Sequence, residues 1–224
     1  MGPFRLGDNP GSPFPPIHLA QQEPNGLLAI GGDLTPERLL TAYRSGIFPW
    51  YSEGEPILWW SPAPRAVLFP SELHISRSLK RRIRQQPFRI TLDQNFAAVI
   101  HNCAAPRSSD SGTWITSEMA EAYIRLHELG HAHSVECWDR DNTLVGGLYG
   151  VLAGKLFCGE SMFSRANDAS KIALVSLLED FADEIEIELI DIQMMTPHLQ
   201  QMGAREIPRT EYQELLAEHC LHTD

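Results

Sequence analysis

Three strand-like stretches, residues 133–138, 145–152 and 155–160, follow one another with very short connections. Connections this short pair strands antiparallel, because a parallel crossover needs a dozen residues or more. The last two read as a hairpin turning at Ala153-Gly154. A helix follows, carrying Ala169, Ile172, Ala173, Leu177 and Phe181 at helical spacing. Residues 187–193 then read as a strand, followed by a short helix and a terminal helix from Arg209. Upstream, residues 66–69 and 88–92 look like strands, and Asp93 and Thr116 stand where they could cap two helices. Gly130 marks the end of the second helix. The order predicts an α+β domain with a largely antiparallel sheet.

Residues 1–65 differ from the rest. They are rich in Pro and Gly and promise helix only over 36–45, where Thr35 precedes Pro36. A small domain over 1–65 and a larger one over 66–224 are expected.

Glu160 breaks the apolar run Phe157-Cys158-Gly159-Glu160-Ser161-Met162-Phe163 at the end of the third meander strand. A carboxylate there needs a partner, because burying an unpaired charge is costly. One reading is an ion pair with Arg165, and the other is a polar anchor in an apolar ligand pocket. The pocket is preferred. Asp191 and Gln193 sit two apart on one strand, on the parity of Ile187 and Leu189, so two polar groups interrupt an apolar face.

The chain of 224 residues carries a formal net charge of −11, which opposes non-specific coating of nucleic acid. One segment runs against that average: Arg77, Lys80, Arg81, Arg82, Arg84 and Arg89 occur with no acid among them. Such a patch can dock a polyanion, or it can be a solvated helix face. The first residues lack a basic stretch followed by an apolar one, and no apolar run is long enough to span a membrane. The four cysteines are widely spaced, as expected for reduced thiols in the cytoplasm. His127-Glu128-Leu129-Gly130-His131 matches a zinc-peptidase pattern, but Gly130 would separate the two histidines and no third ligand has a telling position. No metal is expected. The aromatics around Trp50 and Trp59-Trp60, on proline-rich loops, are either core or recognition surface.

Several blocks together carry a resemblance. They are Pro24-Asn25-Gly26-Leu27-Leu28, Gly31-Gly32-Asp33-Leu34, Gly46-Ile47-Phe48-Pro49-Trp50, Trp59-Trp60-Ser61-Pro62, Leu73-His74-Ile75-Ser76-Arg77-Ser78, Gly112-Thr113-Trp114-Ile115-Thr116 and Gly159-Glu160-Ser161-Met162-Phe163-Ser164. In order and without large gaps, from about Pro24 to Pro208, the chain resembles the leucyl/phenylalanyl-tRNA-protein transferase family. Ala63 stands where Asp would be expected, and Leu148 where Met is common.

The resemblance implies transfer of Leu or Phe, with Met as a further candidate, from aminoacyl-tRNA to the N-terminal Arg or Lys of acceptor proteins. The bulky new terminus marks the acceptor for degradation in bacteria. It also implies a domain like the GNAT N-acyltransferases. A CoA-using member of that fold needs a glycine-containing phosphate loop, whereas Met162-Phe163-Ser164-Arg165-Ala166-Asn167 has none, so neither CoA nor another cofactor is expected. By resemblance, Asp191 and Gln193 are the catalytic pair, with Asp191 orienting Gln193 toward the attacking amine. Trp50, Trp114, Tyr123, Met162 and Phe181 would surround the aminoacyl side chain, and Tyr43 and Trp50 would lie near the terminal adenosine. Glu160 would bind a charged amine of the aminoacyl ester or the acceptor's basic side chain. Arg77, Arg81 and Arg84 would bind the tRNA acceptor stem. Classes left open are a zinc peptidase, a CoA-dependent acetyltransferase and a non-catalytic RNA-binding protein.

Overall fold

A computed structural model describes residues 2–7, 9, 11–105 and 115–220. The N-terminal region contains a four-stranded sheet of β1 (Phe4–Leu6), β2 (Leu27–Gly31), β3 (Phe48–Pro49) and β4 (Leu58–Trp60), ordered β1-β2-β4-β3. This corrects the reading of that region as loop and helix alone. Its strands have two to five residues and are interrupted by Pro and Gly, so no alternation is long enough to read. Fully buried Trp59 anchors the sheet, its indole N–H donating to the Gly31 carbonyl at 2.8 Å. Helix α1 (Pro36–Arg44) starts as expected, with the Thr35 side chain accepting from the Arg38 amide.

The larger sheet holds β5 (Arg65–Leu68), β6 (Arg89–Leu92), β7 (Ala132–Trp138), β8 (Leu144–Ala153), β9 (Leu156–Ser164), β10 (Leu189–Gln193) and β11 (Arg205–Ile207). Its order is β11-β5-β10-β9-β8-β7-β6. Every neighbouring pair is antiparallel except β9 with β10. The expected meander is therefore β7-β8-β9. The helices are α2 (Arg77–Arg84), α3 (Phe96–Ala104), α4 (Ser117–Glu128), α5 (Ala169–Glu179), α6 (Pro197–Gln201) and α7 (Arg209–Cys220). Thr116 caps α4 as expected. Asp93 does not cap α3: Asn95 does, while Asp93 accepts from the Ser134 amide at 2.8 Å and bonds the His133 ring.

Two apolar clusters flank the sheet. One joins α1, α3, α4 and α7 to Tyr149, Val151 and Cys158, and it includes the buried residues of the N-terminal sheet. The other packs α5 against Leu148, Phe157, Ile190 and Ile192. Alternation along β8 sends Leu148 to one cluster and Tyr149 to the other.

Two irregularities create the site. Between β8 and β9 the register jumps from Tyr149↔Ser161 to Gly150↔Gly159, leaving Glu160 as the extra residue of a bulge. Between β10 and β5 it jumps from Asp191↔Val67 to Gln193↔Ala66. β9 and β10 pair only as far as Cys158↔Asp191. Beyond that point the strands part, and a cavity opens between them.

Candidate active site

The cavity has a volume of about 380 Å³, within the range typical of small-molecule sites. Leu148, Phe157, Leu174, Leu177, Ile190 and Ile192 supply apolar lining, and Glu160, Gln193 and Met162 also border it. Glu160 Oε2 accepts from the Tyr123 hydroxyl at 2.9 Å, and Oε1 accepts from Gln193 Nε2 at 3.0 Å. The Tyr123 hydroxyl is in turn bonded to that of Tyr43. A chain of hydrogen bonds thus runs from α1 through α4 to the bulge of β9 and the end of β10. No ion pair joins Glu160 to exposed Arg165 among the described residues.

Burial raises the Glu160 carboxyl to about 7, while hydrogen bonds from Tyr43, Tyr123 and Gln193 restrain the rise and the Asp191 charge adds to it. Burial, reinforced by Glu160, holds Tyr43, Tyr123 and Tyr149 well above their usual range, so they remain protonated.

Asp191 and Gln193 do not form a side-chain pair on one face. Asp191 is 1% exposed and grips Arg65, with Oδ1 on Nε at 2.8 Å and Oδ2 on Nη2 at 2.7 Å. Its Oδ2 also accepts from the Tyr212 hydroxyl at 2.8 Å. Oδ1 accepts the backbone N–H of Gln193 at 2.9 Å. Although burial opposes its charge, Arg65 is held protonated by Asp191. The register jump between them sends the Gln193 side chain to Glu160 instead, with Gln193 at φ 58°. A non-glycine residue in that left-handed region is strained, and the Asp191–amide bond helps to hold it there. Asp191 therefore positions the end of β10, and Glu160 orients the Gln193 amide.

Glu160, Gln193 and Met162 border the cavity, whereas Tyr123 does not line it and reaches it only through its hydrogen bond to Glu160. Tyr43 lies one step further back, bonded to the Tyr123 hydroxyl, and at 1% exposure its ring cannot stack on an adenosine. Trp50 is 39% exposed, rests on the Trp60 ring at 5.6 Å and does not line the cavity. Phe181 lies beyond α5, packed on the apolar cluster beneath that helix, and also does not line the cavity. Leu174 and Leu177 of α5 line the wall. Trp114 lies outside the described residues.

Arg65, Tyr212, Leu174, Ile190 and Ile192 escaped the sequence reading, and Leu177 was read only as part of the α5 stripe. α5 is buried almost all round, with Leu174 and Val175 buried beside the expected stripe. That pattern signals a helix serving more than one apolar surface.

Arg77, Lys80, Arg81 and Arg84 are exposed on α2, while Leu79 is buried. Among the described residues none of the four basic side chains has an ion-pair partner. The histidine motif is divided: His127 Nδ1 bonds the Ala132 carbonyl at 2.8 Å and its ring stacks on Phe96. Glu128 pairs with Arg125, and Gly130 at φ 79° takes His131 off the helix.

The fold and the site define an α+β enzyme with an apolar ligand cavity and a carboxylate–amide pair beside it. Family models match both parts of the chain: leucyl/phenylalanyl-tRNA protein transferase over 67–217, and the N-terminal domain of the same transferase over 32–63. The curated relative from Stutzerimonas stutzeri is 61% identical over 92% of this chain and 90% of its own length. Another from Pseudomonas syringae pv. syringae is 58% identical over 92% of this chain and 89% of its own. Both carry the name leucyl/phenylalanyl-tRNA–protein transferase. The chain belongs to the leucyl/phenylalanyl-tRNA protein transferase family and is an aminoacyltransferase. Similar solved structures include L-PGS from Bacillus licheniformis, with TM-score 0.40 and 11% identity over 76% of this chain and 54% of that one. A GCN5-related N-acetyltransferase from Kribbella flavida gives TM-score 0.37 and 8% identity over 80% and 63%. The family assignment rests on the sequence relatives. No helix among the described residues is long and apolar enough to cross a membrane.

Proposed function

We propose that this aminoacyltransferase moves leucine or phenylalanine from tRNA onto the N-terminal Arg or Lys of acceptor proteins in the cytoplasm. The observation that carries the reading is an apolar cavity bordered by a carboxylate. A leucyl or phenylalanyl side chain fits between Leu148, Leu174 and Leu177, and its α-ammonium then faces Glu160. In its ionised form, which grows as pH rises through about 7, Glu160 only accepts hydrogen bonds; Gln193 turns Nε2 toward it and leaves Oε1 to accept an N–H of the attacking amine. The aminoacyl ester is already activated, so positioning the two reactants supplies much of the rate.

The exposed arginines of α2 suit the phosphates of the acceptor stem. Changing Arg77, Arg81 and Arg84 together to Glu should raise the Michaelis constant for aminoacyl-tRNA about tenfold or more and flatten its salt dependence. Peptide-acceptor affinity should hardly move. Steady-state kinetics across a salt series checks this, and an unchanged slope would return α2 to the role of a solvated surface.

The turn before α5 does not suit a CoA phosphate. It lacks glycine, and Asp168 places a carboxylate at the helix start, where a phosphate would be repelled. The functional test offers peptides beginning with Arg, Lys, Ala or acetylated Arg, together with Leu-tRNA. Mass spectrometry should find one added leucine on the first two only. Equal labelling of the Ala peptide, or none of the Arg peptide, would refute the acceptor assignment.

A further inference from the structure

Four glycines stand in the two strands that pair across the Glu160 bulge: Gly146, Gly147 and Gly150 of β8, and Gly159 of β9. Packing accounts for the first three. A Cβ at Gly146 would strike the Ala169 side chain, and one at Gly147 would stand 2.6 Å from the Val135 carbonyl oxygen. One at Gly150 would strike the Cys158 carbonyl oxygen and lie 2.6 Å from the Phe157 ring. Gly159 is different. A Cβ there would meet nothing nearer than the Asp191 carbonyl oxygen at 3.8 Å and Ile190 Cγ2 at 3.9 Å, both ordinary contacts. Its backbone also lies outside the left-handed region, so the bulge makes no demand for glycine of the kind a left-handed bulge residue does.

A glycine inside a strand weakens it through backbone entropy and missing packing. Nothing among the described residues offsets that cost at Gly159. The space its side chain would take belongs to the site cavity, which Gly159 borders together with Phe157, Glu160 and Ile190. Residues two apart on a strand share a face, so a Cβ at Gly159 would stand on the cavity side beside Phe157, where β9 and β10 part. Along β9, Gly159 separates Glu160 from the apolar pair Phe157 and Cys158.

We propose that Gly159 is bare because the donor lies against it: the Cα and first side-chain carbon of the leucyl or phenylalanyl group rest on its backbone. This rests on the transferase reading above. With its α-ammonium at Glu160 and its side chain among Leu148, Leu174 and Leu177, the donor is held at both ends. It has no freedom to step round an added methyl. Gly159 thereby sets the depth at which the ester carbonyl meets the acceptor amine. Leucine and phenylalanine share the atoms that touch it, so filling this space affects both donors alike.

Gly159→Ala tests this in the whole chain. Urea unfolding is measured together with binding of deacylated tRNA and of adenosine carrying a hydrolysis-resistant 3′-leucyl or 3′-phenylalanyl amide. Single-turnover transfer from Leu-tRNA and Phe-tRNA to an Arg-initiated peptide completes the set. The variant should unfold at the same urea concentration as wild type or a higher one, because alanine in an ordinary strand conformation narrows the unfolded ensemble. Deacylated tRNA should bind unchanged. Both amides should bind about tenfold more weakly or worse, the scale of an overpacked methyl. Transfer of both residues should fall about 10²-fold, the scale for displacing a reacting group by about 1 Å. Unchanged amide binding and transfer would overturn the proposal. So would a loss confined to phenylalanine, which would seat Gly159 against the ring, or unfolding clearly below wild type, which would make the glycine structural. A wild-type enzyme that transfers neither residue would instead refute the transferase reading.

Discussion

Replacing Asp191 with Asn should destabilise the whole chain by about 3–5 kcal/mol, the scale for removing one partner of a buried ion pair. The variant keeps the shape of the side chain but leaves the Arg65 guanidinium buried without a counter-charge. Arg65 Nη1 already lacks a partner among the described residues, so little is available to compensate. The two neighbouring rings, Phe48 at 5.0 Å and Tyr212 at 4.7 Å, offer only cation–π contact. The Asn carbonyl can still accept the Gln193 N–H, but its amide nitrogen would face the donors Arg65 Nη2 and Tyr212 hydroxyl, and the resulting shift at the end of β10 should lower turnover about 10²-fold in whatever folded fraction survives. Urea unfolding at pH 7 reads the first effect. Exchanging both partners together, Arg65→Met with Asp191→Asn, should cost far less than the sum of the single changes. A single variant within about 1 kcal/mol of wild type would show that Asp191 does not tie β10 to the core.

Glu160→Gln should have opposite effects on activity and stability. Turnover should fall about 10²-fold or more, because the charge that orients Gln193 and meets the substrate's ammonium is gone. Stability at alkaline pH should rise. The folded-state value of about 7 lies above the ordinary 4.5, so the folded chain holds this proton more tightly than the unfolded chain. Wild type therefore loses stability as pH rises through that window, whereas Gln does not titrate. The gap should be near zero at acid pH and on the order of 2–3 kcal/mol at pH 8. Unfolding midpoints at acid and alkaline pH check the sign. A gap that shrinks as pH rises would mean that Glu160 is well solvated or fully paired in the folded state.

The meander was legible because its strands are long and its connections short. The caps at Thr35 and Thr116 were legible because a hydroxyl preceding a helix has few other uses. Glu160 announced itself as a charge in an apolar run, and it has two hydrogen-bonding partners. The bulges were not legible, since one extra residue leaves composition untouched yet changes which face every later side chain takes. That is why Asp191 and Gln193 read as one face and instead point to different partners. Phe181 continued the α5 stripe by arithmetic, but the helix ends at Glu179, and Leu174 and Leu177 form the wall. Arg65 gave no signal because its partner lies 126 residues away. The N-terminal sheet was hidden by strands too short to show a period.

The most direct test is a crystal structure of the enzyme with adenosine carrying a hydrolysis-resistant 3′-phenylalanyl amide. The phenyl ring should lie between Leu148, Leu174 and Leu177, with its α-ammonium within hydrogen-bonding distance of Glu160 and Gln193 Oε1 open toward the carbonyl carbon. A ring seated elsewhere, with this cavity empty and Glu160 untouched, would contradict the assignment of the cavity as the aminoacyl site.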